Sequence, residues 1–238
     1  MHDTIKLNTG VKMIAHRGVS ALERENSIAA FVAAGNRSHY GIETDVHVTK
    51  DGQFIVIHDD STQRVTGVEG IVEEMTFDQL RTLHLFDMDG SPRSDLTLPS
   101  LEEYIRICKK YDKQSILELK NHMEPEHIAA IVDIIRAEGW LERTTFISFD
   151  LANMLCLRSM LPNQSLQYLV NDITDGLLDT LVQNKLDLDI RFPNLTKEFL
   201  DTCHANGILV NVWTVDSIDN ALRLADWGVD FMTSNGLE

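Results

Sequence analysis

Cysteine, proline and long hydrophobic runs are all scarce in this 238-residue chain. Its three cysteines, Cys108, Cys156 and Cys203, are far apart and lack the spacing of a disulfide framework or a zinc site, so we expect buried apolar side chains. No stretch approaches the ~20 apolar residues of a membrane-spanning helix, and Met1–Gly10 contains no apolar segment of the secretory kind. These absences predict a cytoplasmic protein without stable membrane association.

Positively charged residues are also few, because the chain contains 37 acidic and 21 basic residues and its formal net charge is -16. Such a surface repels nucleic acid at long range, so we expect no nucleic-acid partner. A small anionic substrate is compatible with this charge only if cationic side chains are concentrated in one pocket. The composition therefore predicts a small-molecule substrate and a locally positive site.

Short apolar runs alternate with amphipathic stretches from end to end, a pattern typical of repeated βα units. We predict one α/β domain over residues 1–238, a single (β/α)8 TIM barrel. An additional extended segment is predicted at Gln53–His58. The eight predicted barrel strands are Val11–Ala15, Gly41–Val46, Ser115–Leu119, Thr144–Ser148, Ser165–Val170, Leu186–Ile190, Ile208–Trp213 and Asp230–Thr233.

Helical periodicity fills most of the gaps between these strands. The segment Asp59–Pro99 is far longer than an ordinary βα connection, so we predict a small insertion after the second strand, approximately residues 59–99, with one short helix near Phe77–Leu83. The other predicted helices are Ser27–Gly35, Leu101–Tyr111, Pro125–Glu138, Leu151–Met160, Gly176–Val182, Thr196–Ala205 and Ile218–Ala225.

Two predicted strands carry ionisable side chains at alternate positions. Glu43 and Asp45 share a face of the second strand, and Glu118 and Lys120 share a face of the third. One such pair alone is best interpreted as solvated at a strand end. Three carboxylates together would repel one another, so a protein that gathers them must bind protons or a cation, and an all-oxygen cluster suits Ca²⁺ or Mg²⁺.

Histidines follow two of the apolar runs. His16 and Arg17 end the first strand, and His58 ends the additional extended segment. His16 alone is more simply interpreted as a structural histidine, but the carboxyl ends of barrel strands are where active sites lie. Two histidines beside a metal form an acid and base pair for phosphoryl transfer, while Arg17 and Lys120 suit phosphate oxygens. Trp213, at the end of the seventh strand, either lines the pocket or caps the core.

Several other polar residues have ordinary interpretations. Asn26 or Ser27 is predicted to cap the first helix. His47 and His122 fall beyond predicted strand ends, which favours solvated loops, and the acidic run Glu69–Glu74 is predicted to be a solvated face. The remaining histidines have no charged cluster nearby in the sequence: His2, His39, His84, His127 and His204.

A series of short motifs runs over almost the whole chain: His16-Arg17-Gly18, Glu25-Asn26-Ser27, Glu43-x-Asp45-Val46, Thr49-Lys50-Asp51-Gly52, His58-Asp59, Leu98-Pro99-Ser100-Leu101, Glu118-x-Lys120, Ser148-Phe149 and Val212-Trp213-Thr214-Val215. Their order resembles that of the glycerophosphodiester phosphodiesterase family. The resemblance implies metal-dependent hydrolysis of glycerophosphodiesters to glycerol 3-phosphate and an alcohol, within glycerol and lipid metabolism. It also implies residue roles: Glu43, Asp45 and Glu118 hold one divalent cation, His16 and His58 transfer protons, Arg17 and Lys120 bind phosphate, and Trp213 lines the glycerol site.

Two rival functions stay open at this point. A lysophospholipase D or sphingomyelinase D type enzyme resembles this family in its barrel and catalytic residues but acts on lipids. A catalytically silent barrel would only bind phosphodiesters. Small water-soluble diesters such as glycerophosphocholine are the predicted substrates, because the chain has neither a membrane-binding helix nor a basic surface.

The end of the chain departs from the family pattern. Thr233-Ser234-Asn235-Gly236 stands where the family commonly has Thr-Asp and a proline, and no room follows for an eighth helix. The outer faces of the first and last strands should then expose apolar side chains, namely Val11, Met13, Phe231 and Met232. The expected covers are neighbouring helices, Met1–Gly10 or a second subunit, of which we favour a homodimer.

Overall fold

Eight parallel strands close on themselves in the computed structural model, which describes residues 3–238. They are β1 (Lys12–Ala15), β2 (Gly41–Val48), β3 (Gln114–Leu119), β4 (Thr144–Ser148), β5 (Leu166–Val170), β6 (Asp187–Arg191), β7 (Val210–Trp213) and β8 (Phe231–Ser234). The sheet closes because β1 pairs with both β2 and β8. Each strand begins and ends within two residues of its predicted position, and the predicted (β/α)8 TIM barrel is confirmed.

Apolar side chains line both faces of the strands, as expected for a buried parallel sheet. The inner layer consists of Ile14, Ile116, Ile147, Leu169 and Phe231. The outer faces pack against the helices in a much larger cluster that contains the buried thiols of Cys108 and Cys203, as predicted. Cys156 is only partly buried.

Seven helices surround the barrel: α1 (Ile28–Gly35), α2 (Leu101–Lys110), α3 (Pro125–Ala137), α4 (Leu151–Met160), α5 (Leu177–Asn184), α6 (Lys197–Ala205) and α7 (Ile218–Trp227). Side-chain caps fix several of their starts. Ser27 caps α1 through the amide of Ala30, and Ser100 forms a capping box with Glu103 at the start of α2. Throughout residues 3–238, each helix is too short or too polar to span a bilayer.

Between β2 and α2 the chain makes a long excursion over the barrel mouth. It first returns antiparallel to β2 as the strand Phe54–Val56. Short helices follow at Gln63–Thr66, Val72–Glu74 and Phe77–Arg81. A hairpin of His84–Phe86 and Pro92–Thr97 completes the segment, which has its own small apolar core. The extended segment predicted at Gln53–His58 and the helix predicted near Phe77–Leu83 are both found here. The hairpin was not predicted, because its charged and exposed second strand shows no apolar alternation.

The chain itself covers the barrel beside β1 and β8. Ile5 forms a parallel bridge with Leu237, and the Ile5 amide donates to the Gly236 carbonyl at 2.9 Å. Both side chains pack against the main core.

One of the predicted covers, the Met1–Gly10 segment, is present here through Ile5, but the outer-face position predicted for Phe231 is wrong. Met13 and Met232 are buried under this cover, Val11 is half-buried and packs on the core, and Phe231 points into the barrel against Tyr40. The homodimer stays a prediction, but the exposed surface on which it was based is absent from the described residues.

Candidate active site

Three acidic side chains meet at the carboxyl ends of neighbouring strands. Glu43 and Asp45 lie on β2, and Asp45 pairs in register with Glu118 of β3. Oxygen atoms from the three carboxylates lie within 4.8 Å of one another, and the three residues are only 3, 1 and 8% exposed. The alternative that these carboxylates are solvated is therefore wrong. They lie together in one cluster, as the pattern of the two strands indicated.

Burial and mutual repulsion make this cluster electrostatically unfavourable by itself. Burial, reinforced by the charge of Asp45, raises the pKa of Glu43 well above its usual range and also raises the pKa of Glu118. Burial pushes the pKa of Asp45 in the same direction, but the charges of Arg17 and Lys120 outweigh it and lower that pKa. Oxygen Oδ1 of Asp45 accepts no hydrogen bond within residues 3–238. A buried all-oxygen cluster with a free acceptor fits a hard divalent cation.

A tight turn after β1 brings positive charge to these carboxylates. Arg17 and Gly18 both have left-handed φ values, 54° and 77°, and a side chain at Gly18 would collide with the backbone of Ala30. The turn directs the Arg17 amide to Glu43 Oε2 at 2.7 Å. It also places the Arg17 guanidinium 2.8 Å from Glu25 and 3.6 Å from Asp45.

Lys120 provides the second cation of the site. Its Nζ lies 2.9 Å from Glu118 and 3.7 Å from Asp45, and its side chain is only 13% exposed. Together with Arg17, it supplies the concentrated cationic side chains that the acidic composition requires for an anionic substrate. Guanidinium and ammonium groups are both suited to bind phosphate oxygens.

His16 is fixed by a residue from the far end of the chain. Its Nδ1–H donates to Asn235 Oδ1 at 2.7 Å, while Asn235 in turn donates to Asp216. This arrangement leaves the Nε2 lone pair of His16 free. Burial, together with the Arg17 charge, lowers the pKa of His16 to about 4, so the imidazole is neutral near pH 7.

His58 is oriented by a carboxylate. Its Nδ1–H donates to Asp59 Oδ1 at 2.7 Å, and Arg64 from the excursion holds Asp59 through contacts of 2.6 and 3.0 Å. Arg64 also binds Glu25, the partner of Arg17. The excursion therefore positions both a histidine and a cation of the site. Burial lowers the pKa of His58, against the opposing influence of Asp45.

One small pocket, with a cavity volume of about 90 Å³, contains most of these groups and opens to solvent at the barrel mouth. Trp213 lines it, meets Phe149 edge to face at 5.7 Å and also packs against the inner apolar layer of the barrel. The other lining residues are His16, Arg17, Glu43, His58, Glu118, Ile147, Leu169, Asp189, Thr214 and Thr233. Asp45 and Lys120 contact this set through the ion pairs already described.

The sequence interpretation missed or misplaced several residues. Asn26 does not cap α1; its Nδ2 donates to Asp45 Oδ2 at 2.8 Å and its Oδ1 accepts from Thr44. His47 is not in a solvated loop, because β2 continues to Val48 and buries the ring completely. Asp189, buried on β6, lines the pocket, although its alternation with Asp187 in an apolar strand is the same signal that identified Glu43 and Asp45.

Other histidines lie away from the pocket. His122 is exposed, as predicted, and binds Asp150 at 2.9 Å. His39 is buried and has one carboxylate, that of Glu238, at 4.0 Å. His204 likewise contacts Asp230 at 3.0 Å. His2 lies outside the described residues.

Taken together, the fold and the pocket define a class of protein, a (β/α)8 barrel whose strand ends combine an acidic cluster, two cations and two oriented histidines. Residues 16–237 match the Glycerophosphoryl diester phosphodiesterase family, and the chain belongs to that family. The prediction of a phosphoric diester hydrolase is thereby confirmed.

Individual relatives match along nearly their whole length. A glycerophosphodiester phosphodiesterase of Caldanaerobacter subterraneus is 30% identical over 224 residues, which covers 92% of this chain and 91% of that protein. The structure of a phosphodiesterase of Oleispira antarctica, in complex with the product sn-glycerol-3-phosphate, matches with a TM-score of 0.86 and 26% identity over 94% of this chain and 92% of that one. A Silicibacter pomeroyi structure with a TM-score of 0.87 and 23% identity, covering 98% of this chain and 91% of that one, supports the fold alone.

Proposed function

We propose that this protein hydrolyses glycerophosphodiesters to glycerol 3-phosphate and an alcohol in the pocket at the carboxyl ends of the strands. The observation that carries the proposal is the convergence of a buried carboxylate cluster, two cations and two oriented histidines on one small pocket. The product bound to the Oleispira antarctica relative supports glycerol 3-phosphate as the product here. Because every element of the acid and base machinery is present, a silent binding barrel is not favoured.

Glu43, Asp45 and Glu118 are proposed to hold one divalent cation, Ca²⁺ or Mg²⁺. Such an ion, when bound, polarises a phosphoryl oxygen and stabilises the charge that develops on it. Arg17 and Lys120 are proposed to bind the remaining phosphate oxygens, since each already lies within 4 Å of a carboxylate of the cluster. Trp213 is proposed to line the glycerol site.

The hydrogen-bond partners of the two histidines suggest different proton-transfer roles. His16 is held through Nδ1 and is neutral near pH 7, so its free Nε2 can accept a proton, and we assign it as the proton acceptor that activates the nucleophile. His58 donates to Asp59, whose carboxylate stabilises a charged imidazolium, and we assign it as the proton donor to the leaving oxygen. Arg64 and Asn235 act as positioning residues behind them.

Release of glycerol 3-phosphate from glycerophosphocholine tests this function. We expect chelated protein to be inactive and to recover with Ca²⁺ or Mg²⁺, and we expect His16→Ala and His58→Ala to lose about 10²- to 10⁴-fold in turnover. His84→Ala, which removes an exposed histidine outside the pocket, is the matched control. Full activity after chelation would refute the metal site, and near wild-type turnover of either pocket variant would remove that histidine from the mechanism. The cytoplasmic location stays a prediction.

A further inference from the structure

Asp189 is a buried carboxyl group for which the proposed chemistry has no use. It lies on β6, is 2% exposed and lines the same pocket as His16 and Trp213. Its Oδ2 accepts from Asn211 Nδ2 at 3.1 Å, but its Oδ1 has no hydrogen-bond partner within residues 3–238. Burying an oxygen without a hydrogen-bond partner is energetically unfavourable. A ligand group that forms a hydrogen bond with Oδ1 should therefore bind more strongly than one that does not.

A network inside the barrel holds Asp189 in place. Asn211, fully buried on β7, donates through the same Nδ2 to Gln167 Oε1 at 3.2 Å and accepts at Oδ1 from Thr233 at 3.3 Å. These contacts fix both ends of the Asn211 amide, and Asn211 thereby fixes Oδ2 of Asp189. The second oxygen cannot turn to another protein partner without breaking this network.

A second polar atom in the same pocket also has no partner. The indole Nε1–H of Trp213 is buried and donates to nothing within residues 3–238. Ile147, Leu169 and the aromatic pair of Phe149 and Trp213 form the apolar part of the lining. In addition to the ionisable groups of the proposed chemistry, the pocket therefore presents two buried polar atoms without partners.

The ligand that satisfies both atoms carries hydroxyl groups. Trp213 can only donate, so it needs an acceptor. Burial raises the pKa of Asp189 well above its usual range, and a hydroxyl serves the carboxyl group in either protonation state because it both donates and accepts. A quaternary ammonium group offers no hydrogen bond to either atom. This favours the glycerol end of a diester over a choline end for this part of the pocket.

We propose that Asp189 is a specificity-determining residue that pairs with the terminal hydroxyl of the glycerol moiety, with Trp213 Nε1 donating to a glycerol oxygen. The inference rests on the proposed function. Esterification of that hydroxyl, as in a lysophospholipid, removes the proton that Asp189 Oδ1 would share and adds an acyl chain beside the Asn211 network. Asp189 thus selects deacylated glycerophosphodiesters against their acylated counterparts.

A cycle of substrate and protein changes tests this pairing through kcat/KM. The substrates are glycerophosphocholine, its analogue without the terminal hydroxyl (2-hydroxypropyl phosphocholine) and lysophosphatidylcholine. We expect wild type to lose roughly 10- to 100-fold when the terminal hydroxyl is absent, mostly in KM. In Asp189→Leu, glycerophosphocholine should lose a similar factor, while the analogue changes less than about threefold, because the interaction is already missing.

Two further variants keep the test decisive. Asp187→Asn, on the same strand but outside the pocket, should preserve the wild-type preference. Asp189→Asn, which retains an acceptor for Asn211, should keep part of that preference, and it takes the place of Asp189→Leu if circular dichroism shows that the leucine variant does not fold.

Each remaining outcome has one meaning. Equal losses on all three substrates would reduce Asp189 to a structural role and overturn the proposal. A second result would also overturn it. If kcat/KM changes when choline is exchanged for the ethanolamine of glycerophosphoethanolamine, and does not change when the terminal hydroxyl is removed, the alcohol moiety lies at Asp189. Failure of wild type to cleave any of these diesters would instead refute the proposed function.

Discussion

Replacement of Glu43 by glutamine should have opposite effects on the protein with and without a divalent cation. At an effective dielectric constant of 20, two unit charges 4.8 Å apart repel by about 3.5 kcal/mol, and Glu43 lies at or within this distance of two other carboxylates. Burial and the charge of Asp45 already raise the pKa of Glu43, so proton binding relieves part of this repulsion. Glutamine keeps an oxygen for the Arg17 amide and removes the charge.

We therefore expect chelated Glu43→Gln to be more stable than chelated wild type by about 1–2 kcal/mol, or roughly 2–8 °C in Tm for a chain of this size. A cation at 100 times its Kd should stabilise wild type by about 2.7 kcal/mol, roughly 5–10 °C. In Glu43→Gln this increase should largely disappear, because one ligand charge is lost. Thermal unfolding with and without Ca²⁺ or Mg²⁺ measures both effects.

The control is Glu69→Gln, which removes an exposed carboxylate away from the cluster and should alter neither value. If chelated Glu43→Gln is no more stable than wild type and still gains the full cation-dependent increase, the reasoning about repulsion within the cluster is wrong.

Two further predictions concern residues that only the tertiary contacts identify. Asn235→Ala removes the acceptor of the His16 Nδ1–H. We therefore expect kcat/KM on glycerophosphocholine to fall about 10- to 100-fold, with Tm nearly unchanged. An unaltered kcat/KM would exclude this positioning role. Burial lowers the pKa of His39 to about 4 from its ordinary 6.5, so between these pH values the unfolded chain binds a proton that the folded protein does not. Stability should thus fall by up to about 3 kcal/mol as pH drops from 6.5 to 4. His39→Gln should weaken this dependence in urea denaturation series, and an unchanged pH slope would contradict it.

The barrel strands and most helices were predictable because the spacing of apolar residues within each segment indicates its type. Apolar runs of strand length, followed by amphipathic stretches with serine or threonine caps, gave boundaries within two residues. The hairpin of the excursion was missed because its second strand is largely exposed and its polar residues show no alternation.

The same local rule located part of the active site. Side chains two residues apart share one face of a strand, so Glu43 and Asp45, and likewise Glu118 and Lys120, were paired correctly within each strand. His16 and His58 were identified from their positions after apolar runs, and the resemblance to the family implied the same proton-transfer roles. Asp189 alternates in the same way with Asp187 on β6, but only closure of the barrel shows that its side chain faces the pocket.

Contacts between segments far apart in the chain were decided only by closure of the barrel. His16 meets Asn235 across 219 positions because β1 pairs with β8, and Asp45 meets Glu118 because β2 and β3 align in register. The cover formed by Ile5 and Leu237 arises in the same way. A single sequence records which face of a strand a side chain occupies, since that depends on its immediate neighbours. It does not record which distant face lies opposite, because strand pairing and register depend on packing of the whole barrel.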